Sequence, residues 1–140
     1  MTLAISDQQR EAMVAAADIY NSGVLEIRTG APPGPNAADA GTLLASITLP
    51  ADALDPSGDG VRVKLGTWQD AAADAAGTAG HYRIKQSGDT GGATGADDER
   101  LEGTITGTGG GGDMELNNTN IAVGQQVTIS AFTLTMPAGG

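Results

Sequence analysis

His81 is the single histidine of the chain, and there is no cysteine. These two facts set most of the available chemistry. A thiolate nucleophile, a disulfide and a cysteine-ligated zinc are excluded, as is a zinc site built on several imidazoles. A serine–histidine–acid triad would have to use His81 as its base. His81 lies in the alternating run from Gly80 to Gln86, on the side that also carries Arg83 and Lys85, and no Gly-x-Ser-x-Gly elbow occurs. The pattern reads as an outward, surface histidine.

Carboxylates are abundant, with twelve aspartates and five glutamates. Pairs of the kind that hydrolyse glycosides therefore arise by number alone. Most of them neighbour glycine in loops, where they solvate the chain, and Asp97-Asp98-Glu99 reads as such a loop. The segment Asp55-Pro56-Ser57-Gly58-Asp59-Gly60 has oxygen ligands at positions one, three and five of a calcium-type loop and glycine at six. Gly66 stands at position twelve, where a bidentate glutamate belongs, so a tight turn between strands is the better reading. At most a weak cation remains for the acidic loops.

The run Gly107 to Gly112 has no Lys-Ser/Thr ending and no helix after it, and Asp113 would repel a phosphate. It reads as a flexible hairpin or an extended tip. Basic and aromatic residues interleave only around Tyr82 to Lys85, too little for a nucleic-acid face on a chain of net charge -10. Trp68 and Tyr82 are the candidates for a sugar-stacking platform. The sequence thus assigns no catalytic residue, no cofactor and no metal.

The elements around these residues are short. Ser6 and Gln9 form a capping box, with Asp7 and Glu11 near the positive end of a helix. Met13, Ala16, Ala17 and Tyr20 follow α-helical spacing as one apolar stripe, and Gly23 is placed to end the helix in a left-handed conformation. Alternation then predicts strands at Val24–Arg28, Leu43–Leu49, Val61–Leu65, Gly80–Gln86, Arg100–Thr106, Met114–Leu116 and Gln125–Met136. In the first, Leu25 and Ile27 face inward, with Glu26 and Arg28 on the other side. The last has a phase slip, which predicts a bulge near Ser130 or a strand buried on both faces. Residues 70–76 read as one helical turn or a loose linker.

The chain of 140 residues fits a single domain, with an arm and helix over 1–23 and a β domain over 24–137. The predicted fold is mainly β (α+β): one N-terminal helix packed on an antiparallel β-sandwich or rolled sheet of about seven strands. Leu, Ile, Val and Phe make up under a fifth of the residues, so the core is thin and gains from burial against neighbours. No apolar run reaches the length of a membrane span, and the N-terminus lacks the pattern of a signal peptide. The expectation is a soluble chain made in a cytoplasm, with neither nucleic acid nor membrane as partner. Leu3 and Ile5 ahead of the helix, with Met13 and Tyr20 on its stripe, are the candidate partner interface.

The order of several segments resembles a group of small virion-associated structural proteins of tailed bacteriophages. They are Gly23 to Gly30, Gly41 to Leu49, His81-Tyr82-Arg83-Ile84, Gly111 to Thr119, and the closing Ile121 to Pro137. The resemblance covers the chain from about Ile19 to Pro137. Lys85 and Gln86 stand where an acidic residue is usual after the Tyr-Arg-Ile strand. The resemblance implies a non-enzymatic virion component, made in the host cytoplasm and oligomeric on the particle. Its partners would be the major capsid protein or other virion proteins. A head decoration (cement) protein is the leading expectation. A neck, collar or tail protein forming a ring or spike is the second, and a receptor- or carbohydrate-binding module the third.

Overall fold

Period-two patterning makes the strands, and the computed structural model describes Ser6 and residues 12–58, 60–93 and 99–135. Among these residues there are eleven strands. They are β1 (Val24–Thr29), β2 (Leu43–Thr48), β3 (Leu54–Gly58), β4 (Val61–Lys64), β5 (Trp68–Asp70) and β6 (Gly77–Lys85). Then come β7 (Arg100–Gly107), β8 (Met114–Leu116), β9 (Asn120–Ile121), β10 (Val127–Ile129) and β11 (Thr133–Thr135). The protein is mainly β with one short helix, as the sequence predicts, and most strand pairs are antiparallel. The largest sheet runs β2-β1-β6-β7-β8, with β9 paired to the start of β6. Two smaller sheets, β10-β5 and β11-β4-β3, complete the fold.

The central strands β1 and β6 place Leu25, Ile27 and Ile84 in the core without exposed surface. Two bulges adjust this sheet. Between Ile27 and Arg28 the β2 partner steps from Ala45 to Leu43, so Leu44 is inserted and both Leu44 and Ala45 are buried. Between Arg28 and Thr29 the β6 partner steps from His81 to Ala79, which makes Gly80 the inserted residue. A Cβ at Gly80 would collide with the Gly30 backbone, so only glycine fits there.

Three aromatic residues join the sheets. Phe132 lies 5.6 Å from Trp68 and 5.6 Å from Tyr82 between ring centroids, the second pair edge-on. Trp68 is fully buried in β5 and its indole N–H donates to the Leu65 carbonyl at 3.1 Å. Phe132 falls between β10 and β11, and there the chain leaves one small sheet for the other. The single strand predicted for Gln125–Met136 is therefore two short strands. The phase slip of its apolar residues is this change of sheet.

Several other expectations are corrected. Residues 12–14 are α-helical and lead into a 3₁₀ helix, Ala15–Tyr20. With three residues per turn, Val14, Ala17 and Tyr20 are buried at spacing three, while the side chains of Ala15 and the predicted stripe residue Ala16 are outside those described. Met13, predicted for the buried stripe at α spacing, is 43% exposed. The capping partners Asp7, Gln9 and Glu11 lie outside the described residues. The left-handed residue after the helix is Ser22 (φ 59°), not Gly23. Gly23 is needed for a different reason, because a Cβ there would strike the Lys85 carbonyl. Trp68 to Asp70 is a strand, and residues 71–76 are the linker of the two alternatives, not the helical turn.

The glycine run also differs from a flexible tip. β7 and β8 pair in parallel, with Ile105 opposite Met114, although only six residues connect them. Parallel neighbours normally need a long crossover. Here the chain doubles back after Gly107, runs against Thr106, and reverses again at Asp113. Gly110 N–H donates to Gly107 O at 2.9 Å, and Gly112 N–H to Thr106 Oγ1 at 3.0 Å. Asp113 Oδ2 accepts from Thr104 N–H at 2.9 Å. Cβ atoms at Gly110 or Gly112 would lie within 3.0 Å of Thr106 atoms. The glycines make this switchback narrow enough to close.

Candidate functional site

The residues with the most chemical potential gather on one face of the large sheet. Strand alternation puts Glu26 and Arg28 of β1, His81, Arg83 and Lys85 of β6, and Arg100 and Glu102 of β7 on the same side. Glu26 is directly opposite Arg83, and Arg83 is opposite Glu102. Alternation alone predicts that this side faces water. It does not: His81 is 1% exposed, Arg83 0% and Lys85 5%. The segments 30–41 and 88–92 lie over the charges and bond to them.

Arg83 is the hub. Its guanidinium donates to Asp39 Oδ1 at 2.8 Å, Glu102 Oε2 at 2.9 Å, Gly34 O at 2.9 Å and Ala37 O at 3.0 Å. Glu102 in turn accepts from Gly34 N–H at 2.7 Å. Lys85 Nζ reaches Glu26 Oε1 at 2.7 Å and Asp39 Oδ2 at 2.9 Å. Arg28 bonds the same two carboxylates, at 3.3 and 3.2 Å. Arg100 grips Asp89 through two nitrogens, at 2.6 and 2.7 Å, and donates to Ala37 O at 2.9 Å and Gly92 O at 2.7 Å. Gly91 lies so close to Asp39 that a Cβ would overlap its carboxylate.

Burial pushes the Asp39 carboxyl up, but the bonds from Lys85 and Arg83 and the charges of Lys85 and Arg28 together hold it below the usual carboxylate range. The Arg100 hydrogen bonds hold Asp89 low against its burial, helped by the Gly91 amide. Arg28, Arg83, Lys85 and Arg100 balance Glu26, Asp39, Asp89 and Glu102. This layer is thus neutral overall, and the net charge of -10 resides outside it.

His81 is part of the same layer. Its Nδ1–H donates to Gly30 O at 2.9 Å, and its Nε2 is buried with no hydrogen-bond partner among the described residues. A base that must reach a substrate would need an open path, which a ring in this position lacks. Trp68 and Tyr82 are core residues, and burial with the nearby Asp113 charge pushes the Tyr82 phenol up to about 12. Neither ring is a surface platform. Asp55 is in β3 opposite Val63, and the turn beyond it uses positive φ at Gly58 and Gly60. Asp59, Asp97 and Asp98 lie outside the described residues.

The candidate interface residues divide. Leu3 and Ile5 lie outside the described residues. Met13 and Tyr20 do meet, in an apolar groove of about 180 Å³ that also has Val14, Ala17, Leu101 and Leu134 in its lining. Tyr20 is a buried wall of this groove, and burial with the Glu99 charge pushes its phenol up to about 12. Met13 forms the exposed rim.

Sequence reasoning missed the ion-pair layer. Its one sequence signal is that Glu26 and Arg28 have the same phase as Arg83 and Lys85, which becomes readable only when the strand pairing is known. Comparison with protein-family models, with curated proteins and with solved structures found no match for this chain.

Proposed function

We propose that this chain is a non-enzymatic structural component of a tailed-phage virion, a head decoration protein that stabilises the shell. The observation that carries the reading is the closed ion-pair layer. The charged groups that could bind or activate a substrate instead fix two loops, 30–41 and 88–92, onto the sheet. Such directional bonds specify one arrangement of loops for which the apolar residues alone are too few. A rigid surface with little internal chemistry suits a part repeated many times by symmetry. The docking partner in this reading is the major capsid protein, met by Leu3, Ile5 and the Met13–Tyr20 groove. A contact of about 800 Å² per partner is ordinary for a stable association.

Quantitative mass spectrometry of purified particles of the encoding phage tests this. Decoration predicts hundreds of copies per particle. About six to twelve copies would move the protein to a neck or tail ring. Its absence from purified particles would end the structural reading. Met13→Asp should lower occupancy on the shell while leaving the fold intact.

A further inference from the structure

A second groove, remote from the ion-pair layer, is lined by a different chemistry. It measures about 310 Å³ and lies between the end of β8 and the strand β10, lined by Leu116, Asn117, Asn118, Gln126, Thr128 and Ser130 along with Val127. Leu116 and Val127 are buried and form its floor. The other five side chains are exposed, uncharged and able to hydrogen-bond.

Two of the amides are already oriented. Asn117 Oδ1 accepts from Thr108 Oγ1 at 3.4 Å, and Asn118 Oδ1 accepts from Asn120 N–H at 3.0 Å. With each oxygen engaged, the Nδ2 groups remain as donors with no hydrogen-bond partner among the described residues. Thr128 donates its hydroxyl proton to Gln69 Oε1 at 3.3 Å, so its oxygen presents lone pairs to a ligand. Ser130 and Gln126 can both donate and accept. The groove therefore offers fixed donors beside acceptors over a small apolar floor.

The next groove along β8 runs past Asp113 and Glu115. Their carboxylates are engaged by Thr104 N–H and by the amides of Gly109 and Gly111, so they do not reach out to grip a cation. They and the overall charge disfavour an anion. A ligand that is neutral and rich in vicinal hydroxyls satisfies the site, since each hydroxyl donates one hydrogen bond and accepts others. An added peptide strand is the less suitable guest, because β8 and β10 are three residues each and offer little ladder.

We propose that this groove is a binding site for a neutral sugar unit of a glycan, held by Asn117 and Asn118 as donors and by Thr128 and Ser130 as acceptors. A single shallow site of this size should bind with a dissociation constant of about a millimolar. The site does not depend on the decoration reading, and either can fail alone.

The test is an NMR titration of the isotope-labelled full-length protein with a panel of neutral mono- and oligosaccharides, with glycerol as the control. Saturable shifts of the Asn117, Asn118 and Gln126 side-chain amides are expected for at least one sugar and not for glycerol. Asn117→Ala and Gln126→Ala remove two amides of the lining and leave Asn118 with its bond from the Asn120 amide in place. Combined, they should weaken binding at least about tenfold with the spectrum otherwise unchanged. Ser130→Ala is the second, milder variant and should also weaken it. The proposal fails if no sugar gives saturable shifts, if glycerol matches the sugars, or if the double variant binds equally well. It also fails if an uncharged Gly/Ser/Thr hexapeptide binds and the sugars do not, which would mark a strand acceptor instead.

Discussion

The two faces of the large sheet are closed by opposite means. One face packs Leu25, Ile27, Tyr82 and Ile84 against Trp68, Phe132 and the aliphatic residues of the smaller sheets. The other packs Arg83, Lys85 and Glu26 under loops that supply carboxylates and carbonyls. The apolar face is held by area, tolerates changes of shape, and has no preferred partner for each atom. The charged face is held by direction, and each group depends on a particular partner. The difference shows how a chain with few large apolar residues can still cover both sides of a sheet.

Substitutions at the centre of each face should separate these behaviours. Trp68→Ala should cost about 3–5 kcal/mol, read from urea unfolding, and Trp68→Phe markedly less because another ring refills the site. Arg83→Ala should cost about 3–5 kcal/mol, because the buried Glu102 loses its cation and Asp39 keeps only Lys85 and Arg28. Arg83→Met should recover little of that loss, although it restores volume. Adding Glu102→Gln to Arg83→Met should recover more, since the carboxylate left without a cation is then gone. Full recovery by Arg83→Met alone would mean that the charged face is held by packing like the other.

Acid should act on one face only. Asp39 and Asp89 both have folded pKa values below the unfolded value of about 3.9. The unfolded chain therefore binds more protons than the folded one in that range. The stability these groups confer is complete above the unfolded pKa and is lost as pH falls through the folded values. Urea midpoints should drop on acidification below that range, and Asp89→Asn should flatten the dependence. A smaller loss, about 1–3 kcal/mol, is expected for Gly91→Ala, whose Cβ would press on Asp39 from a residue at φ +85°. The smallest effect belongs to the pair between Arg62 and the exposed Asp18, 3.3 Å apart. Asp18→Ala should change stability by under about 1 kcal/mol.

The sequence displays the apolar face clearly and the charged face hardly at all. Leu25 and Ile27, or Tyr82 and Ile84, alternate in a way that only a half-apolar strand explains. The polar partners between them look the same whether they meet water or a lid. What distinguishes the two is the bond from Arg83 to Asp39, across 44 positions of chain. The helix is legible as an element, with Ala17 and Tyr20 inward as predicted, but its first turn is not, since Val14 is buried in place of Met13. The last strand is legible as apolar, yet its division at Phe132 depends on rings that come from β5 and β6. The amide-lined groove has no local signature, since Asn117 and Asn118 read as turn residues and Thr128 as a strand residue facing out.

Trp68 is the one indole in the protein and sits where three separately paired groups of strands converge. Its emission is consequently a built-in gauge of their joint integrity. The protein should keep a blue-shifted spectrum until that junction admits water. Association that leaves the fold intact would leave the colour unchanged, while unfolding would redden it, so binding and collapse can be told apart with a single lamp.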